Sequence, residues 1–236
     1  LIVGPSLGGI LYGFDRLVPF FTSGALFLAA GIAVSRIRLI APPAARAPVT
    51  LTTVFAGVAF IRRTPAMLGM ISLDLFAVLL GGATAPLPLF ASPAIGALLM
   101  SLVVARPPIR SGAGRKMFAA VAVFGLATIV FAVSTNIALS IAALLVVGAS
   151  DNISVVVRSS LVQLMTPDEM RGRVNAVNSL FIGTSNQLGE FESGMVAGAL
   201  GPVAAGVIGG VGTLAVVALW MAAFPTLRRI ERLDGR

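Results

Sequence analysis

The stretch VAAGVIGGVGTLAVVALWMAAF, residues Val203–Phe224, contains no charged side chain. An apolar run of about 20 residues is long enough to cross the hydrocarbon core of a bilayer as a helix. Comparable runs with almost no charge occupy residues 17–34, 66–90, 117–133 and 137–157. Because these runs are continuous and do not alternate with polar residues, they favour helices over the strands of a membrane barrel. The sequence therefore predicts an all-α, polytopic membrane protein.

The composition of the chain supports this class and excludes others. Of its 236 residues, 57% are hydrophobic and 11% are charged, whereas an average soluble domain has about 25% charged residues. The absence of Cys and His from the sequence excludes disulfides, thiolate catalysis and Cys/His metal sites. The chain also lacks a phosphate-binding loop motif, so an ATP-driven pump is not supported. We expect no metal and no cofactor.

We predict eight membrane segments separated by short polar or basic connections. They are residues 1–14, 17–34, 66–90, 92–105, 117–133, 137–165, 174–200 and 203–224. The first and fourth are short for a span. Residues 50–63 predict a short helix near the membrane surface. Thr166 is predicted to cap the helix that follows it, with Pro167 in the first turn.

The distribution of basic residues predicts the orientation of the chain. The net charge is +8, and all but two of the 17 Lys and Arg residues fall on one side of the eight spans. The exceptions are Arg16, which lies on the other side, and Arg158, which lies within a span. Cytoplasmic loops are enriched in Lys and Arg, so we expect the basic loops and both ends of this chain to be cytoplasmic. This pattern favours topology signals over nucleic-acid binding.

Three short motifs resemble those of the major facilitator superfamily. Gly4-Pro5-Ser6-Leu7-Gly8-Gly9 resembles the Gly-Pro-x-x-Gly-Gly signature of the fifth helix of exporters. The segment TPDEMRGRV, residues 166–174, is similar to the loop between the tenth and eleventh helices of the enterobactin-exporter-like and macrolide-efflux-like branch. Gly114-Arg115-Lys116 resembles the end of the basic loop motif after the eighth helix, without its Asp and first Gly. The corresponding residues in cytoplasmic loops are Gly114, Arg115, Lys116, Pro167, Asp168, Glu169, Arg171, Gly172 and Arg173.

The resemblance implies twelve helices in two six-helix halves, of which this chain would supply helices five to twelve. Residues 1–40 would be the last two helices of the N-terminal half. Residues 41–65 would be a basic cytoplasmic linker with a short surface helix, and residues 66–236 the C-terminal half with a shortened second helix. The resemblance also implies a bacterial inner membrane. It links the glycine motif, Gly4, Pro5, Gly8 and Gly9, to antiport, although tight helix packing explains these residues equally well.

Charged residues within the predicted spans are candidates for function, since each costs about 2.5–3.5 kcal/mol at the centre of a membrane helix. Asp151 and Arg158 are seven residues apart, so they share one helix face. They predict either a proton or substrate site, or a structural charge network. Asp74 predicts either a role in a cytoplasmic gate or a role in proton coupling.

The predicted seventh span carries two further carboxylates. Glu190 and Glu192 point in different directions around a helix, and Glu190 shares its face with Asn186. We therefore favour Glu190 over Glu192 as the proton carrier. Gly194-x-x-x-Gly198 on the same span predicts a close contact with another helix.

These observations predict a secondary transporter that exchanges protons for a small amphipathic molecule, and the resemblance implies a siderophore-like or drug-like substrate. The expected partners are the lipid bilayer, this substrate and protons, and not nucleic acid. The alternative is a non-transporting fragment, or a membrane-embedded partner that needs another chain for its missing N-terminal half. An intramembrane enzyme is the weakest prediction, because no nucleophile–base arrangement stands out.

Overall fold

The computed structural model describes Leu11, Asp15 and residues 17–36, 51–81, 91–105 and 112–230, and all regular structure there is helical. The helices are α1 Val18–Ser35, α2 Leu51–Arg63, α3 Pro65–Gly81, α4 Ala91–Ala105, α5 Ala113–Val133, α6 Ile137–Met165, α7 Asp168–Leu200, α8 Pro202–Ala223 and α9 Pro225–Arg228. The prediction of an all-α chain is confirmed for these residues. The predictions for Gly4, Pro5, Gly8 and Gly9 lie outside them.

Among the described residues, four helices are long and apolar enough to cross a membrane: α1, α5, α6 and α8. A fifth span results if α2 and α3 count as one, although the chain bends by 106° between them. The α4 helix is apolar but short, as predicted, and α7 has 33 residues with many polar side chains. The prediction of a membrane protein is thus supported by four or five such helices, and not by eight.

The chain divides into two compact units, Leu1–Val49 and Thr50–Arg236. In the first unit, α1 begins just after Leu17, whose backbone N–H donates to Asp15 Oδ1 at 2.8 Å. The second unit contains α2 to α9. The short helix predicted over residues 50–63 is therefore packed within the second unit, where it lies against α7 and α3.

Within the second unit, α4 packs against α6, α6 against α5, α5 against α8, α8 against α3, and α3 against α7. Glycines allow the closest of these approaches. A Cβ atom on Gly148 of α6 would overlap the carbonyl of Pro93 on α4, and one on Gly96 of α4 would overlap that of Leu145 on α6. The backbones of α4 and α6 are therefore in direct contact.

This packing order has an internal symmetry. If α3, α4 and α5 are matched with α6, α7 and α8 in that order, the most extensive helix contacts correspond. The contact of α4 with α6 corresponds to that of α7 with α3, and the contact of α5 with α6 corresponds to that of α8 with α3. The contact of α5 with α8 maps onto itself, as does that of α3 with α6. The relation covers the five most extensive contacts, whereas the contact of α7 with α8 has no comparable counterpart between α4 and α5 within the described residues.

Most of the buried core lies at one end of the second unit, where α3, α5 and α7 begin and α6 and α8 end. Its fully buried side chains include Met67, Met117, Phe118, Val162, Val174 and Leu227. Eight basic residues surround the same end, which we call the basic end: Arg62, Arg63, Arg115, Lys116, Arg171, Arg173, Arg228 and Arg229. The charge asymmetry seen in the sequence is thus also present in the folded unit.

The structure corrects the predicted start of α5. This helix begins at Ala113, because Gly112 has a left-handed backbone (φ 65°) and its carbonyl accepts a hydrogen bond from Lys116 N at 2.9 Å. Gly114, Arg115 and Lys116 therefore form the first turn of a helix and are not in a loop.

The predicted cap of α7 is also corrected. Thr166 ends α6, and its hydroxyl donates to Val162 O at 2.5 Å, so it is not available to cap α7. Pro167 occupies the N-cap position of α7 and makes no side-chain cap. The loop-motif residues that follow it, Asp168, Glu169, Arg171, Gly172 and Arg173, all lie within the helix, and α9 was not predicted.

Candidate functional site

The buried charges of the second unit meet between α3 and α6. Arg158 Nη1 forms an ion pair with Asp74 Oδ2, and the two side chains are only 4% and 11% exposed. Asp74 lies about 14 Å from the start of α3 and Arg158 about 10 Å from the end of α6, at a rise of 1.5 Å per residue. Both residues were predicted as candidates, but the sequence related Arg158 only to Asp151, which shares its helix face, and predicted no partner for Asp74. The structure pairs Arg158 with Asp74.

Contacts with α8 fix the rotation of α3 on both sides of Asp74. Trp220 Nε1 donates to Ser72 Oγ at 2.8 Å, and Thr213 Oγ1 donates to Ala77 O at 3.2 Å. These polar groups are paired across the helix interface, as buried donors and acceptors must be. Asp74 is thereby directed towards α6.

A second carboxylate, Asp151, lies beside the ion pair. Asp74 and Asp151 line one pocket between α3, α5 and α6, together with Val78, Val121, Phe124, Ala77, Ser150 and Ser154. Asp151 is near the middle of α6 and is itself exposed, so the pocket leads from the surface towards the buried pair. The volume of this cavity is about 10 Å³, which is room for about one water. Sites for drug-sized ligands need about 300–1,000 Å³.

The pocket has unused hydrogen-bonding capacity. Arg158 Nε is buried and has no hydrogen-bond partner among the described residues. The hydroxyl of Ser150, in contrast, donates to Val146 O at 2.6 Å within its own helix. A guanidinium has five N–H donors, so Arg158 retains donors for a water or a second carboxylate. Because the site has two carboxylates and only one cation, its charge balance allows one additional positive charge, such as a proton.

The remaining predicted carboxylates lie on α7, away from this pocket. Glu190 is exposed, Glu192 is half-buried, and neither lines the pocket. Glu190 continues an exposed row at helical spacing, which we call the α7 polar stripe: Asn175, Ser179, Asn186 and Glu190. Polar side chains are costly in contact with lipid. In a bilayer, this stripe must therefore face water or protein.

Within the described residues, no helix contacts the predicted glycine pair on α7. Gly194 and Gly198 are exposed, and a Cβ on either would meet no atom of the described residues within 4 Å. The close approach is at Gly189, where a Cβ would lie 2.7 Å from Val78 O. Gly189 lies one or two turns before the predicted pair and connects α7 to the helix that bears Asp74.

The motif residues of the two predicted loops have local structural roles. Asp168 and Arg171 form an exposed ion pair at 2.9 Å, and Arg173 Nη1 contacts Met170 Sδ at 3.6 Å. A Cβ on Gly114 would overlap the carbonyl of Leu227, so this glycine allows α9 to lie against α5.

Two pocket residues that were not predicted have a recognisable spacing in the sequence. Ser150 and Ser154 precede Arg158 at intervals of four, which places all three residues along one face of α6. Val121 and Phe124 gave no such signal, because they resemble other apolar residues of a span.

Comparison of the chain with protein-family models, curated proteins and solved structures finds no match.

Proposed function

We propose that this chain is a membrane secondary transporter of the major facilitator type, which exports a small amphipathic molecule in exchange for protons. One observation carries the proposal: the buried Asp74–Arg158 pair joins two helices next to a second carboxylate, Asp151. A buried ion pair is weak evidence for stability alone, and ionisable residues at membrane depth are typical of ion and proton pathways.

The packing of the second unit supports the same class. Transporters of this type contain nested three-helix repeats and bind their coupling ions at the repeat interface. Here the triplets α3–α4–α5 and α6–α7–α8 pack in a related order, and Asp74 and Arg158 come from the first helix of each triplet.

The geometry suggests how a proton would act. When both carboxylates are ionised, Arg158 can neutralise only one of them. A proton on Asp74 would weaken its pairing with Arg158 and leave the guanidinium available to Asp151, which lies seven residues away on the same helix face. The two arrangements attach α6 to α3 differently, so protonation would bias a two-state helix interface.

The substrate would need a binding surface other than the pocket proposed to bind the proton. The pocket at Asp74 has room for about one water, which suits a proton and not a drug-sized molecule. The α7 polar stripe, flanked on the same helix by the exposed apolar side chains Leu180, Leu188 and Phe191, offers the mixture of polar and apolar contacts that an amphipathic substrate needs.

Efflux of ethidium from glucose-energised cells that express the chain tests this proposal. We expect protonophore-sensitive efflux from the wild type, loss of efflux in Asp151→Asn, and wild-type efflux in Asp168→Asn, whose ion pair is exposed. Glu190→Gln separates the candidates: loss of efflux would also assign proton or substrate binding to Glu190. Wild-type efflux in Asp151→Asn would remove the proposed proton site.

A membrane-embedded partner subunit is the second candidate, and the exposed α7 polar stripe favours it. A second protein that covers the stripe would satisfy its polar groups as well as water would. Asn186→Cys, treated with a water-soluble maleimide, distinguishes the two functions, because a transport cavity would allow labelling and a protein partner would block it. Membrane insertion without efflux, combined with no maleimide labelling of the Asn186→Cys variant, would favour the partner subunit.

A further inference from the structure

A second, larger cavity lies at the basic end, on a different face of α5 from the Asp74 pocket. It is a groove between α5 and the corner formed by α8 and α9, with a volume of about 490 Å³. Two arginines, Arg115 and Arg228, lie at its rim, and both are exposed. The rest of its lining is apolar: Phe118, Ala119, Ala122, Val217 and Met221.

The charged and apolar parts of the groove are separated along the helix axes. Arg115 is in the first turn of α5, and Ala122 lies about 10 Å further along the same face. On the opposite wall, Val217 and Met221 belong to α8, and Arg228 follows in α9. The groove therefore has two cations at the end of the bundle and a hydrocarbon surface below them.

The backbone holds the two arginines in this arrangement. Gly114 N donates to Ile230 O at 3.1 Å, and the missing side chain of Gly114 leaves space for the carbonyl of Leu227. These contacts fix the residues next to Arg115 and Arg228. Neither arginine forms an ion pair within the described part of the chain, and the groove lining contains no acidic residue. Two guanidinium groups held together in this way favour an anion between them.

We propose that this groove binds an anionic phospholipid from the leaflet at the basic end of the protein. Its phosphate would accept hydrogen bonds from Arg115 and Arg228, and an acyl chain would lie against Ala119, Ala122 and Met221. Charge complementarity selects this occupant: basic pockets between membrane helices bind anionic headgroups, whereas a neutral lipid would leave both cations without a partner. This site is separate from the proposed proton site and does not depend on transport.

Native mass spectrometry of the full chain in detergent tests the proposal, with phosphatidylglycerol and phosphatidylcholine added at equal concentrations. We expect preferential binding of phosphatidylglycerol to the wild type. The double variant Arg115→Ala/Arg228→Ala should weaken that binding by about 10- to 30-fold, because each basic side chain near an anionic surface contributes about a fivefold gain in affinity. The matched control Arg62→Ala/Arg63→Ala removes two cations from the same end but outside the groove, and should bind like the wild type.

Two further variants separate binding from folding. Arg115→Lys/Arg228→Lys keeps both charges and should retain most of the binding, and Ala119→Trp, which fills the apolar part, should weaken it. Excess glycerol phosphate should not displace the lipid, since it lacks an acyl chain. The proposal is overturned if the wild type binds both lipids equally, if the control pair loses as much binding as the groove pair, if glycerol phosphate competes, or if an uncharged amphipathic dye displaces the lipid at equal concentration.

Discussion

At the scale of single residues, the Asp74–Arg158 pair and the exposed Asp168–Arg171 pair allow a direct comparison of buried and exposed charges. In an Asp151→Asn background, where Arg158 has no alternative carboxylate in the pocket, Asp74→Asn leaves the guanidinium buried without a counter-ion, which costs about 3–5 kcal/mol. We expect the thermal unfolding midpoint in detergent, measured by circular dichroism, to fall by roughly 10 °C. Asp168→Asn should change it little, since exposed pairs contribute about 0–1 kcal/mol. Equal effects of the two substitutions would contradict the buried ion pair.

A second prediction at this scale concerns the contact of α4 with α6. Gly148→Ala places a methyl group against the carbonyl of Pro93, and overpacking of this kind costs about 1–3 kcal/mol. Gly183→Ala is the matched control, because its methyl group meets no described atom within 4 Å and alanine is the better helix former by about 1 kcal/mol. We expect lower thermal stability for Gly148→Ala and unchanged or higher stability for Gly183→Ala. The reverse order would mean that α4 and α6 are further apart.

At the scale of helices, the pairing of α3 with α8 depends on the hydrogen bond from Trp220 to Ser72. Ser72→Ala leaves the half-buried indole N–H without this acceptor, which costs about 1–3 kcal/mol. Because the chain has a single Trp, its fluorescence reports on this interface alone, and we expect a shifted emission maximum together with lower stability. Ser101→Ala, whose hydroxyl donates only within α4, should leave both measurements unchanged. An unshifted spectrum in Ser72→Ala would argue against the contact.

The positions of the helices were largely predictable from the sequence, because an apolar run and the polar residues that end it lie within one short segment of the chain. The bounds of α6 match the predicted segment 137–165, and Asn136 caps it through bonds to the backbone N–H groups of Ala138 and Leu139. The errors arose where a residue near a helix end is compatible with two local structures. Thr166 can cap the next helix or bond back to its own, and the structure shows the second.

The site was only partly predictable, for a different reason. Asp74, Asp151 and Arg158 were recognised because charge is rare in an apolar helix. Their pairing depends on which helices are neighbours, and helical spacing within one segment contains no information on that. The same limit applies to α7: within the described residues the neighbouring helix crosses at Gly189, and not at Gly194-x-x-x-Gly198.

At the scale of the whole molecule, the charge asymmetry predicts the orientation of the bundle in a membrane. The basic end of the second unit carries eight Lys and Arg residues, whereas the turn Ser134–Asn136 at the opposite end has none. Translocation of Lys- and Arg-rich loops is disfavoured. The basic end should therefore face the cytoplasm, and the lipid groove formed by Arg115 and Arg228 should open to the inner leaflet, where anionic headgroups attract basic segments.

The absence of Cys from the chain makes this orientation directly measurable, because each introduced thiol is the only one present. Thr135→Cys lies in the turn between α5 and α6, and Thr226→Cys lies in α9 at the basic end; both positions are exposed. We expect a membrane-impermeant maleimide to label Thr135→Cys in intact cells and Thr226→Cys only after permeabilisation. The reverse pattern would invert the orientation and place the lipid groove in the outer leaflet. Equal labelling of both positions in intact cells would mean that the insertion has no fixed direction, and the charge asymmetry would then not be a topology signal.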